Sequence, residues 1–386
     1  MRLRTVPIFL TFFVMGVADA MGPMAEAVRT SFRLSNVVST LLPFFVFVAF
    51  AVFSVPAGVL AARAGKKRVL AVGLAISAAA VLVPALRAPS FALLLACIFA
   101  LGVGTTFLQV AGNPIMREVS PAGAYPRNLT LAQFVKGAGS ASSSYLVGLA
   151  ALLPGLGALG WRSPFPVFGV LMLVALAAVL GLRIDEARDA EPPGFADSAR
   201  LLGVPAVALA VLGIFLYVGA EVCLARFLQP TLAGFGLSPD RAALLGPTLF
   251  FAGLTVGRLL GGAVLTRVAP RAFLRASALL GLLGALALTA HSRTLTLAGV
   301  VVCGLGFANI WPLLFSITVE ERPERGAELS GLMCMAIAGG AVLPIFMGRL
   351  LDQGMGSAAY LVPAASFVYL LGLALRPREE ADAALR

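Results

Sequence analysis

Gly58-Val59-Leu60-Ala61-Ala62-Arg63 closes an apolar run that reaches back to residue 36, with a basic residue four places on at Lys67. Some two hundred residues later the pattern returns as Gly262-Ala263-Val264-Leu265-Thr266-Arg267, again followed at the same offset by a basic residue, Arg271. A second pair sits one step outward. Gly102-x-Gly104 precedes Glu118, and Gly304-x-Gly306 precedes Glu320 at the same distance. A chain that repeats itself at the ends of its apolar runs has two halves of one design.

The runs themselves set the class. Of 386 residues, 60% are hydrophobic and only 12% charged, where a soluble chain carries about 25% charge. Mean hydropathy is +0.97. Twelve runs approach the roughly 20 residues that cross a bilayer as a helix. They lie at 7–28, 36–62, 68–87, 90–116, 128–153, 164–182, 203–234, 240–266, 272–290, 294–319, 327–350 and 357–375. The first has no small-residue cleavage site and is expected to remain as a span rather than a signal peptide. The predicted fold is an all-α membrane protein of twelve transmembrane helices in two pseudo-symmetric bundles of six. The expected divisions are an N-terminal bundle at 1–182, a cytoplasmic linker at 183–202, and a C-terminal bundle with a short tail at 203–386. The acidic, proline-containing stretch RIDEARDAEPPGFADSAR suits a flexible connector in water.

Charge orients the chain. With both termini in the cytoplasm, 19 of the 29 Lys and Arg fall on the cytoplasmic side and seven on the other, as the positive-inside rule requires. The net charge of +11 then needs no nucleic acid, because a basic face meeting anionic lipid accounts for it. The bilayer is the expected partner, the bacterial inner membrane the expected location, and a monomer the expected state. Cys97, Cys223, Cys303 and Cys334 lie far apart inside apolar runs and read as packing residues, and His291 stands at a span end. These placements argue against a histidine or cysteine site, and with no His, Cys or Ser constellation in the spans an enzyme is not expected. The chain contains no GxxxxGK[ST] motif, which excludes an ATP-driven pump, and no cofactor is expected.

Ionisable groups inside spans cost a few kcal/mol or more, so chains that keep them usually use them. Asp19, in Gly16-Val17-Ala18-Asp19, and Glu221, in Gly219-Ala220-Glu221, occupy matching places in the first and seventh spans. They are the candidate cation-coupling carboxylates, for a proton or for a sodium ion bound at either. Lys136 is their candidate modulator, paired with one or the other; the alternative is a static pair that locks its helix to a neighbour. Arg226, with Glu26, is a candidate gate. Arg258, about a turn from a span end, suits snorkelling to the interface as well as function.

Gln109 and Asn113 share one helix face at i, i+4, as do Tyr217 and Glu221, while Gln133 and Lys136 are spaced i, i+3. Asn309 and Trp311 stand beside Pro312, which disturbs its helix. Amides and hydroxyls that donate and accept, with aromatic faces for C–H edges, are what a sugar needs. Gln109, Asn113, Gln133, Tyr217, Asn309 and Trp311 are therefore the candidate substrate contacts. Any of them could instead only bond a neighbouring helix, a contact worth roughly 0.6 kcal/mol on average. Asn113 in particular, in Asn113-Pro114, could only shape its helix.

A two-fold repeat of six helices is the mark of the major facilitator superfamily, whose substrate site lies at the midplane. The junction Gly58-VLAA-Arg63-Ala64-Gly65-Lys66-Lys67-Arg68 resembles that superfamily's loop signature, with Ala62 where an aspartate is usual. Longer stretches narrow the match: Gln109-Val110-Ala111-Gly112-Asn113-Pro114; Phe215-Leu216-Tyr217-Val218-Gly219-Ala220-Glu221; Trp311-Pro312-Leu313-Leu314-Phe315-Ser316; and Ser330-Gly331-Leu332 with Met335-Ala336-Ile337-Ala338-Gly339-Gly340. Together they resemble the fucose/glucose/galactose permease family. The resemblance implies import of a monosaccharide, a hexose by expectation, with a proton or sodium. Fucose/proton symporters of that family place a carboxylate where this chain has Gln109, and their first-helix aspartate stands about a turn deeper than Asp19. If coupling survives, Asp19 and Glu221 are the replacements. Three alternatives stay open: an exporter or exchanger, an uncoupled facilitator, and a carrier of another polar cargo such as an anionic sugar acid. A transport-dead sugar sensor is less consistent with a tail of eleven residues after Leu375.

Overall fold

The computed structural model describes residues 5–17, 28–35, 38, 41–183, 186, 193–290 and 292–376. All of its regular elements among these residues are helical. Among the described residues ten helices are long and apolar enough to cross a membrane. They are α2 Leu41–Ala64, α3 Lys66–Leu86, α4 Phe91–Val119, α6 Pro164–Gly181, α7 Pro205–Gly234, α8 Pro239–Val264, α9 Pro270–Leu288, α10 Arg293–Glu321, α11 Pro323–Asp352 and α12 Gly356–Leu375. Two more complete the set. The described part of α1 is Val6–Val17, and α5, Tyr125–Leu152, carries Asn128, Gln133, Lys136 and a serine-rich stretch. Asp19, Glu26 and His291 lie outside the described residues.

The sequence dictates where helices start. Proline opens α6, α7, α8 and α9, where its missing N–H costs nothing and its fixed φ suits the first turn. Ser90 and Ser292 cap α4 and the start of α10 by accepting from Leu93 N and Leu295 N. Between α2 and α3, Gly65 adopts φ 95°, a left-handed conformation that favours glycine in so short a turn.

Three interruptions depart from the apolar pattern. In α10 the helix breaks after Phe307 and resumes at Ile310. In α11 a 3₁₀ turn spans Ala336–Ala338, just before Gly339-Gly340. In α8 a π turn over Leu244–Thr248 accommodates Pro247, the usual remedy for a proline that cannot donate in the helix ladder.

The chain divides into two compact units, with boundaries just before and inside α5, inside the short helix Phe195–Arg200 and inside α11. Unit 1 contains Met1–Ala122, Val135–Ser198 and Glu324–Met335; unit 2 contains Gly123–Phe134, Ala199–Pro323 and Ala336–Arg386.

Within unit 1 the repeated glycines are contact points. A Cβ on Gly102 would come within 3.0 Å of the Ala49 side chain on α2, and one on Gly104 within 2.8 Å of the Gly73 carbonyl on α3. Gly58 meets Gly331 in the same manner, a Cβ there falling 3.1 Å from its Cα. Small residues let backbones approach where no hydrophobic effect drives association. At one end of the unit, Lys66 pairs with Glu118. The Glu186 carboxylate accepts from the N–H groups of Lys66 at 2.7 Å and Lys67 at 2.8 Å, so it caps α3. Arg63 Nε donates to the Pro193 carbonyl at 2.9 Å. The short helix Phe195–Arg200 follows, and its Ser198 hydroxyl donates to Glu328, itself paired with Arg325 at 2.5 Å. The described part of the connector is therefore bonded structure rather than slack chain.

Unit 2 repeats the scheme with its own residues. A Cβ on Gly304 would meet the Phe250 carbonyl of α8 at 2.6 Å, and Gly306 packs against the Gly281 backbone of α9. Gly262 packs against Leu131, and Arg271 pairs with Glu321 at 2.5 Å. The ion pairs in the two units fall one residue off the register of the sequence repeat, Lys66 for Lys67 and Glu321 for Glu320.

Candidate functional site

Two prolines decide where polar side chains go. Pro312 has no N–H to give the Ala308 carbonyl four residues before it, so that oxygen is left without its helical donor. Arg258, from α8, supplies one: its Nε donates to Ala308 O at 3.3 Å. Its Nη1 donates to the Gln133 carbonyl of α5 at 3.4 Å. Arg258 is thus turned inward and bonded to two backbone oxygens, rather than snorkelling. In unit 1, Pro114 leaves the Val110 carbonyl in the same state, and the buried Ser330 hydroxyl donates to it at 2.7 Å.

Near Arg258 unit 2 places Tyr217 and Gln133, with Glu221 within reach of the Tyr217 hydroxyl. The Tyr217 hydroxyl, buried on α7, lies within electrostatic reach of both the Glu221 carboxylate and the Arg258 guanidinium. It has no hydrogen bond of good geometry among the described residues, and neither has the buried Gln133 Nε2. Each such atom costs about 1–3 kcal/mol when left unsatisfied. The Tyr217 ring rests on Phe307 with centroids 5.4 Å apart, and Phe307 in turn meets Phe367 edge-on at 4.6 Å. Trp311 is stacked on Phe315 at 5.0 Å. Asn309 faces α8 instead: its Nδ2 donates to Gly257 O at 3.0 Å, and its amide lies against Gly261. Arg226 is exposed, its guanidinium 5.7 Å from the Phe227 ring centroid.

Unit 1 holds the second cluster. Lys136 Nζ donates to Gln109 Oε1 at 3.0 Å, joining α5 to α4 through a neutral acceptor that the sequence reading did not pair with it. Gly16 makes this possible by packing directly on the Lys136 carbonyl. Asn113, fully buried, directs Nδ2 at Cys334 Sγ, 3.9 Å away.

The sequence-predicted residues therefore assemble as Gln109 with Lys136, and as Tyr217 with Glu221, the latter joined by Gln133 through Arg258. Sequence reasoning left Arg258 undecided and gave Ser330 no role. Pro312 and Pro114 mark the carbonyls these side chains answer, but only packing says which side chain answers them.

The sequence profile of the Major Facilitator Superfamily matches residues 8–229 and 210–385. The chain belongs to the Major Facilitator Superfamily. It is a multi-pass membrane transporter and not an enzyme. Among superfamily members it is 28% identical over 381 residues to the glucose/galactose transporter of Brucella abortus (strain 9-941), covering 94% of this chain and 90% of that one. It is 24% identical to the L-fucose-proton symporter of Escherichia coli K12, covering 93% and 89%. The crystal structure of FucP in the outward conformation superposes with a TM-score of 0.85 at 22% identity, over 97% of this chain and 98% of that one. The proton:xylose symporter XylE matches with a TM-score of 0.70 at 14% identity, over 95% and 94%. Both likenesses establish the superfamily fold.

Proposed function

We propose that this transporter imports a monosaccharide, a hexose in the first instance, together with a cation, by alternating access in a bacterial inner membrane. The observation that carries the reading is the group around Arg258: the buried Tyr217 phenol lies within reach of the Glu221 carboxylate and the Arg258 guanidinium without a well-formed hydrogen bond to either, and the Gln133 Nε2 nearby is unsatisfied among the described residues. Sugar hydroxyls are donors and acceptors at once and would satisfy both atoms. Glu221, when charged, holds Arg258 and Tyr217 in its field. Neutralised by a proton or screened by sodium, it releases their donors to the sugar, so cation and sugar favour the same state. Lys136 on Gln109 offers a second donor set that a hydroxyl can enter. Trp311 contributes an aromatic face, and Asn309 seats α10 against α8. Asp19 remains the matching carboxylate of the first span. The relatives named for glucose, galactose and fucose support the substrate class.

The test is uptake of labelled glucose, galactose and fucose into proteoliposomes, with a pH gradient and a sodium gradient imposed separately. Accumulation of one sugar under one gradient is the expected result, with Glu221→Gln keeping sugar exchange but losing accumulation. Accumulation undiminished in Glu221→Gln overturns the coupling role; equilibration alone under both gradients makes the protein a facilitator. A second reading, carriage of a sugar acid, is favoured by one observation. Among the described residues Lys136 donates to the neutral Gln109 oxygen, so its ammonium retains charge to offer a carboxylate. Competition of glucose uptake by a uronate separates the two.

A further inference from the structure

We propose that unit 2 carries a binding site for an anionic phospholipid at its basic end, remote from the polar cluster and independent of which cargo is carried. A cavity of about 90 Å³ opens between the first turns of α7 and α9, the last turns of α10 and the C-terminus of α12. Its walls are apolar: Leu209, Leu274, Leu314, Ile317 and Leu373. Leu314 and Leu373 close the inner end over Gly213, where a Cβ would lie 2.8 and 3.2 Å from their methyl groups. Leu209 stands twelve residues before Glu221 on α7, roughly 18 Å along the helix. The cavity is therefore not part of the substrate cluster.

The rim has the opposite character. Arg271, Glu321 and Arg376 line it, and the one carboxylate is already engaged by Arg271 at 2.5 Å. Arg376 is exposed and makes no ion pair among the described residues. Beside it, Arg275 Nε holds the Ala374 carbonyl at 2.8 Å. Both α7 and α9 begin at the rim with proline and without a side-chain cap, so the positive ends of two long helices add to the guanidinium charge. A soluble anion would use the rim and leave the apolar chamber unfilled. A phospholipid uses both, with phosphate at Arg376 and the start of α7 and an acyl segment against the leucines. Leu202 and Leu375, exposed at the same end, continue the apolar surface outward. The charge bias of the sequence assigns this end to the cytoplasm, where basic pockets between helices meet anionic headgroups.

The experiment uses the purified transporter in detergent, with binding read by native mass spectrometry and by thermal unfolding. The probes are short-chain phosphatidylglycerol, short-chain phosphatidylcholine and free glycerol phosphate. Phosphatidylglycerol is expected to bind more tightly than phosphatidylcholine and to raise the unfolding temperature, while glycerol phosphate does neither. Arg376→Gln should cut the preference for the anionic lipid by about five-fold. Ala206→Phe, which fills the chamber from α7, should weaken both lipids. Equal binding of the two lipids to the wild type overturns the proposal, as does a shift reproduced by glycerol phosphate alone or a preference unchanged in Arg376→Gln. Should Ala206→Phe not fold, the wild-type preference and Arg376→Gln decide by themselves.

Discussion

Arg258 and Lys136 are cations in membrane helices whose hydrogen bonds go to uncharged oxygens, and the consequences differ. Among the described residues Lys136 has one such acceptor, Gln109. Replacing Gln109 with Glu would convert that bond to an ion pair and hold the ammonium more tightly. Gln109→Glu is therefore expected to slow sugar turnover in proteoliposomes, while Lys136→Gln is expected to weaken gradient-driven accumulation. Arg258 bridges two carbonyls beside the Tyr217 hydroxyl. Arg258→Lys keeps the charge but gives up the two-pronged geometry, so sugar affinity should fall by about ten-fold, the effect of losing one charge-assisted bond, read as a rise in the half-saturating sugar concentration. At this scale the sequence was partly legible. Glu221 declares itself because a carboxylate mid-span is costly, and Gln109, Gln133 and Tyr217 because they share helix faces with other polar groups. Arg258 did not, since a position near a span end is compatible with snorkelling, and only the location of the Ala308 carbonyl decides otherwise.

Proline and glycine govern the elements. Ser330 on the Val110 carbonyl repairs the vacancy left by Pro114. Ser330→Ala should lower stability by about 0.6 kcal/mol, the mean for hydrogen bonds between membrane helices. The same change in a Pro114→Ala background should cost less, because the new alanine returns an N–H to the ladder. A double-mutant cycle on thermal unfolding measures the difference. Gly306→Leu drives a side chain into the Gly281 backbone and should cost about 1–3 kcal/mol by overpacking, seen as reduced unfolding temperature and yield. Run length made the twelve spans readable, with Gly102/Gly104 and Gly304/Gly306 announcing the repeat. Pro312 signalled a disturbance near Ala308–Asn309, whereas the turn at Ala336–Ala338 was hidden, because apolar residues continue through it and hydropathy does not register a change of helical geometry.

For the molecule as a whole, the connector between the two sequence halves is the least expected component. Its composition reads as flexible, yet Glu186 caps α3 and the carbonyl of Pro193 receives Arg63. Ala62 stands where an aspartate is usual in the loop signature, and Glu186 brings a carboxylate to the adjoining turn from 120 residues away in sequence. That role rests on long-range geometry, which no local pattern encodes. Glu186→Ala should cost about 1 kcal/mol, as loss of a helix cap does, measured by thermal unfolding.

A connector that is also a cap limits how the gene can be cut. Co-expressing the protein as two polypeptides severed between Arg183 and Ile184 would hand Glu186 and Pro193 to the wrong fragment, leaving α3 uncapped and Arg63 without its carbonyl in the first. Severing between Gly203 and Val204 keeps them with the piece they serve. The later cut should give the higher yield of membrane-inserted, reassembled transporter, and the spacer between the repeats is in that sense the final part of the first one.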